Sequence, residues 1–125
     1  MGDRPGAGRT IGLLLGEEVV RGYGDFAEEY RALTNSAGII DRTDLMVGRM
    51  WGRDPKRMLN GLITNDLAGL SDTAAVYGAM LTPKGRIITD LVAFFRGEDE
   101  LRLVLPAAGM ESVTEHLRKY VPPMF

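Results

Sequence analysis

The chain has 125 residues, 45% of them hydrophobic and 26% charged, with 16 glycines and a net charge of −2, a composition that bounds it to one ordinary globular domain with room for a core. The small negative charge offers no basic field for DNA or an anionic membrane surface, and no apolar run approaches the roughly 20 residues that span a bilayer. With no cysteine and a single histidine, disulfides, thiolate metal sites, a catalytic thiol and a histidine-rich metal centre are excluded within these residues.

The first residues, rich in Gly, Arg and Pro, read as a flexible lead covering 1–22, with residues 23–125 as the folded domain. The "IGLLL" patch in that lead is too short for the apolar stretch of a secretory leader, and a cytoplasmic protein is expected. "GAGRTIG" follows no strand and carries no lysine at phosphate-loop spacing, so it is not read as a nucleotide site. The first helix is predicted in "DFAEEYRALTNSAG". Asp25 caps it, Glu28 completes a capping box, Phe26, Tyr30, Leu33 and Ala37 form one apolar stripe, and Gly38 stops it. "LMVGRMWG" (45–52) reads as a strand, with Trp51 in the core. A second helix starts at Asp54-Pro55, buries Met58, Leu59, Leu62 and Ile63, and ends at Asn65-Asp66 through an Asx turn.

Three strands follow: 74–81, 86–95 and 100–105. The first pair is joined by the turn Thr82-Pro83-Lys84-Gly85 and the second by "RGED". A last helix over 106–120 places Met110, Val113, Leu117 and Tyr120 on one face, with His116 beside that stripe as a surface or boundary residue. The order of elements predicts an α+β fold with a mainly antiparallel sheet and flanking helices.

Within the strand "IITDLVAFF" (87–95) only Thr89 and Asp90 are polar. If Leu81 lies opposite Arg86, Tyr77 falls opposite Asp90. If Phe95 lies opposite Glu100, Asp90 falls opposite Leu105. Asp90 then shares a face with Ile88, Val92, Phe94, Leu101 and Leu103. A carboxylate among such neighbours needs a partner or protonates. Two readings stay open: a structural Asp–Tyr hydrogen bond near a sheet end, or a carboxylate held in an apolar cleft to meet a polar ligand.

"MLNGLITNDLAGL", "VYGAMLTPKGRIITDL" and "HLRKYV", in this order and spacing, resemble the superfamily of the glycine-cleavage T-protein (GcvT, aminomethyltransferase) and the YgfZ-type folate-binding proteins. The resemblance implies a GcvT/YgfZ-like N-terminal folate-binding domain, the first part of a longer architecture built around a tetrahydrofolate cavity. By the same resemblance Tyr77 and Asp90 face the folate, Asp90 near N5 of the pterin as the catalytic carboxylate, and Leu45 and Met50 belong to the apolar wall. Tetrahydrofolate is the implied cofactor. A lipoyl carrier protein or iron–sulfur client proteins are the implied partners, together with C-terminal subdomains or a second chain.

Three positions depart from the aminomethyltransferase pattern. Thr89 replaces the first of two adjacent aspartates, Thr43-Asp44-Leu45 replaces an "SHM" stretch, and Pro106 replaces an asparagine that meets the pterin. These departures, with "PKGRI" and "DRTD", favour the YgfZ branch, whose members support iron–sulfur cluster maintenance. Tetrahydrofolate binding of that type is therefore the leading expectation. One-carbon transfer from a lipoyl carrier to tetrahydrofolate is the alternative, and a chain inactive by itself is the third.

Overall fold

The computed structural model describes residues 8–97 and 100–121. Contacts divide the chain into two compact units, Met1–Asp44 and Leu45–Phe125.

In the first unit, β1 (Thr10–Leu14) and β2 (Glu17–Gly22) pair antiparallel. Residues 10–22 therefore form a hairpin, correcting the expectation of a flexible lead over that span. Its tip is Leu15-Gly16, with φ of 53° and 88°. Positive φ at both tip residues matches the twist of the strands, although leucine is an unusual residue for that conformation. Helix α1 (Phe26–Asn35) begins as predicted, the Asp25 side chain accepting the Glu28 N–H at 3.0 Å. Glu29, one residue later than expected, turns back to accept the Tyr23 N–H at 2.5 Å.

The helix ends at Asn35, before Gly38, which has no positive φ. Its stripe of Phe26, Tyr30 and Leu33 is exposed, the two rings stacked with centroids 6.4 Å apart. "DRTD" anchors the end of the unit. The Asp41 N–H donates to the Tyr23 hydroxyl at 2.7 Å and the Thr43 hydroxyl to the Glu18 carbonyl at 2.6 Å. Arg42 forks onto Asp44 at 2.7 and 2.6 Å and holds that carboxyl below its ordinary range, chiefly by hydrogen bonding. The pair's contribution to stability is therefore present above the ordinary carboxylate range and lost as pH falls through the lowered value.

The second unit is a four-stranded antiparallel sheet in the order β3-β6-β5-β4, formed by β3 (Leu45–Trp51), β4 (Ala75–Leu81), β5 (Ile87–Phe95) and β6 (Glu100–Pro106). Helices α2 (Pro55–Asn60) and α3 (Met110–Tyr120) complete it, the latter entered through a 3₁₀ turn at Ala107–Gly109. Asp54 caps α2 by accepting the Arg57 N–H at 3.0 Å, and Pro55 takes the first helical position.

The helix is shorter than predicted. Beyond Gly61 the chain straightens along the edge of β4, where Ile63 bridges Met80 and the Thr64 N–H reaches the Ala79 carbonyl at 2.9 Å. The Asn60 side chain meets the Leu67 N–H at 2.5 Å, closing the loop over buried Leu59 and Leu67.

Two registers differ from the sequence expectation, with different consequences. In β4–β5 Tyr77 pairs with Val92, and Asp90 with Ala79, two residues away from the expected partner. A shift of two keeps every side chain on its face, so Tyr77 and Asp90 remain on the same side as diagonal neighbours. In β5–β6 Phe95 pairs with Leu101 rather than Glu100, through a longer turn in which Gly97 has a φ of 75°. A shift of one turns Leu101, Leu103 and Leu105 to the face opposite Asp90. All three are buried to 2% exposure or less, with Leu91, Ala93 and Met80. The three alternating leucines demand burial, and that demand sets the register.

His116 corrects another expectation. Three residues after Val113 and four before Tyr120, it falls on the buried stripe of α3. It is 8% exposed, with its ring 4.6 Å from that of Tyr120. Where α3 begins, a Cβ placed on Gly109 would lie 2.9 Å from Thr89 Oγ1 and 3.0 Å from Thr89 Cβ. Thr89 is buried and its Cβ is fixed by the strand, so Gly109→Ala is expected to cost roughly 1–3 kcal/mol in chemical denaturation through overpacking. A variant as stable as the parent would show that the turn moves freely.

Candidate functional site: the open face of the sheet

Alternation along β4, β5 and β6 gives the second unit a buried face and an open one. On the open face the Tyr77 hydroxyl donates to Asp90 Oδ2 at 2.9 Å, and both side chains are exposed. The expected contact is present. The expected burial is not, because the leucines assigned to the carboxylate's surroundings lie on the other face. Val92 and Phe94, half-buried, are its apolar neighbours along β5.

The backbone beneath Tyr77 is held from the side. Asn65 Nδ2 donates to the Tyr77 carbonyl at 3.0 Å, and Thr64 Oγ1 accepts the Ala79 N–H at 3.0 Å. "TND", read from the sequence as a helix stop with an Asx turn, thus also has a positioning role at this strand. The signal for that role was two short polar side chains directly after an apolar segment.

The hydrogen bond to Asp90, the charge of that carboxylate and a smaller effect of burial raise the Tyr77 phenol above its ordinary value. The neutral phenol is the donor, so the contact stabilises the fold fully below about pH 10 and is lost as pH rises through the raised value. In an alkaline titration followed by tyrosinate absorbance, Asp90→Asn is expected to move one tyrosine midpoint downward. An unchanged titration curve would show that the two side chains are not paired in solution.

The remaining predicted residues separate. Leu45 is half-buried at the end of β3, paired with Pro106 on the open face. Met50 pairs with fully buried Leu101 and packs on the core, so it cannot belong to the same wall as Asp90. Trp51, expected in the core, is 69% exposed on the open face, with the Arg49 guanidinium 5.4 Å above its ring.

Arg49 and Arg102 are cross-strand partners whose like charges are bridged by Glu100. Arg49 reaches Glu100 at 2.8 Å, and Arg102 also hydrogen-bonds it. Burial pushes the Glu100 carboxyl up, but the hydrogen bonds from the two arginines together outweigh it and leave the group below its usual range. This triad was not foreseen, since it depends on β3 pairing with β6, which the order of elements did not specify.

Two of the sequence departures also change meaning. Thr89 is 8% exposed on the core side, against Gly109, with its hydroxyl donating to the Asp90 carbonyl at 3.1 Å. An aspartate missing there alters packing beneath the sheet, not the open face. Asp44 is engaged by Arg42. Among the described residues no group of three or more His, Cys, Asp or Glu side chains is placed to hold a metal ion, and no helix is long and apolar enough to cross a membrane.

An antiparallel sheet with helices over one face and a paired tyrosine and aspartate on the other defines a domain class that sequence comparison identifies. The chain belongs to the family described as "GCVT N-terminal domain", which it matches over residues 18–125.

It is similar to an aminomethyltransferase of Shouchella clausii (strain KSM-K16), 35% identical over 106 residues that make up 85% of this chain and 29% of the relative. Among solved structures it is similar to the glycine cleavage system aminomethyltransferase T from Bartonella henselae, with a TM-score of 0.77 and 21% identity over 94% of this chain and 33% of the other. That second likeness is one of fold. The chain spans about a third of the length of these relatives. The family and the Shouchella clausii relative support the aminomethyltransferase relationship rather than the iron–sulfur role that the sequence departures favoured.

Proposed function

We propose that this chain supplies one wall of a tetrahydrofolate site in an aminomethyltransferase. The observation that carries this reading is the 2.9 Å hydrogen bond from Tyr77 to Asp90 on an exposed sheet face, in a chain whose family and 35%-identical relative are those of aminomethyltransferases. The donor set suits a pterin. Oδ2 is engaged by the phenol, which leaves Oδ1 to accept an N–H, and Val92 and Phe94 offer apolar surface beside it.

Tetrahydrofolate supplies the amine that accepts the one-carbon unit from a lipoyl carrier. Asp90 orients that amine and stabilises the positive charge that develops on it. Tyr77 fixes the carboxylate's rotation, and Asn65 fixes the strand that carries Tyr77. Thr89 belongs to the packing below and takes no part.

An open face is a single wall, so the chain by itself is expected to bind tetrahydrofolate too weakly for calorimetry. The same chain joined to the portion of the Shouchella clausii relative that it does not cover is expected to bind measurably. A folded fusion that gives no heat with tetrahydrofolate would overturn the reading.

A further inference from the structure

A second region lies at the turn end of β4 and β5, on the helix side. The tip of the β4–β5 hairpin and helix α3 enclose a groove of about 780 Å³. Its floor holds His116, 92% buried by its 8% exposure and packed on Tyr120. Among the described residues this imidazole makes no hydrogen bond, yet no buried side-chain nitrogen lacks a partner, so its ring nitrogens are not sealed from solvent, and the residue lines the groove. Around it stand Lys84, Arg86 and Lys119, none of them in an ion pair among the described residues, with Glu115 as the opposing charge. A nearly buried imidazole without a protein partner, under three cations and one carboxylate, suits a negatively charged acceptor of hydrogen bonds.

We propose that this groove binds an oxyanion, a phosphate or carboxylate group borne by a small molecule. Lys84 and Arg86 supply charge from the hairpin tip, Lys119 supplies it from α3, and His116 meets the anion from below. The Ser112 hydroxyl on α3 adds a neutral donor, and Ile87 and Ile88 add apolar surface for the body that carries the anion. The groove shares no residue with the Tyr77–Asp90 pair, and the proposal does not rest on the folate reading.

His116 is the single histidine, so its imidazole resonances report on the site without ambiguity. The 125-residue chain is titrated with inorganic phosphate and, separately, with succinate, at constant ionic strength against sodium chloride. The expected result is a saturable shift of the His116 resonances with at least one of the two, the stronger identifying the preferred oxyanion. The double variant Lys84→Ala/Arg86→Ala, altered only at exposed hairpin-tip positions, is expected to weaken binding about tenfold or more, and Glu115→Gln to tighten it. The proposal is overturned if both anions give only the drift seen with chloride, or if the double variant binds as well as the parent.

Discussion

Asp90→Asn, made in the fusion with the Shouchella clausii portion, is expected to lower tetrahydrofolate-dependent one-carbon transfer by roughly 10²–10⁴-fold. Asparagine has the same shape and its amide oxygen can still accept the Tyr77 hydrogen bond, so the strand and its register stay intact. The variant removes the negative charge alone. If that charge acts on the cation developing in the reaction, the loss appears in kcat, with little change in KM for the lipoyl-borne substrate. Tyr77→Phe removes only the group that orients the carboxylate and is expected to cost about tenfold, the value of one hydrogen bond. Steady-state release of ammonia measures both. An Asp90→Asn enzyme within twofold of its parent would leave the carboxylate without a chemical role.

Leu103→Ala is expected to lower the unfolding free energy of the second unit by roughly 2–5 kcal/mol, a large part of the ~5–15 kcal/mol that ordinarily separates folded from unfolded domains. Leu103 is 2% exposed, and its partners across the two neighbouring strands are Gly48 and Ala93. Neither has a side chain able to fill the space left behind, so the cavity persists. Trp51→Ala, on the open face, removes a larger side chain that is 69% exposed and is expected to cost much less. Urea denaturation of the two variants distinguishes the observed β5–β6 register from the one-residue alternative. Under that alternative Leu103 would face solvent and its truncation would be nearly silent.

That register marks where sequence reasoning succeeded and where it stopped. Periodicity located both helix caps, all four strands of the sheet and the proximity of Tyr77 to Asp90, because these depend on local spacing. The closing residues of a turn are not fixed by spacing alone. With Arg96 N–H bonded to the Glu100 carbonyl at 2.8 Å, the second hairpin closes one residue differently from the expectation. That single residue moved Leu101 and Leu103 away from Asp90 and exposed the carboxylate.

Met50 and Trp51 show the same limit. Trp51 was expected in the core and Met50, by the resemblance, in the wall beside Asp90; adjacent on one strand, they point to opposite faces, and each takes the face expected of the other. The hairpin at 10–22 escaped notice because its tip uses leucine where asparagine would have signalled the turn. His116 was misplaced by its polarity, although its spacing from Val113 and Tyr120 marked it as buried.

A crystal structure of the fusion with bound tetrahydrofolate tests the central claim most directly. The account predicts a ring nitrogen of the pterin within about 3 Å of the Asp90 carboxylate, with the Tyr77 hydroxyl still on Oδ2. A folate held elsewhere, with Tyr77 and Asp90 facing bulk water, would contradict it.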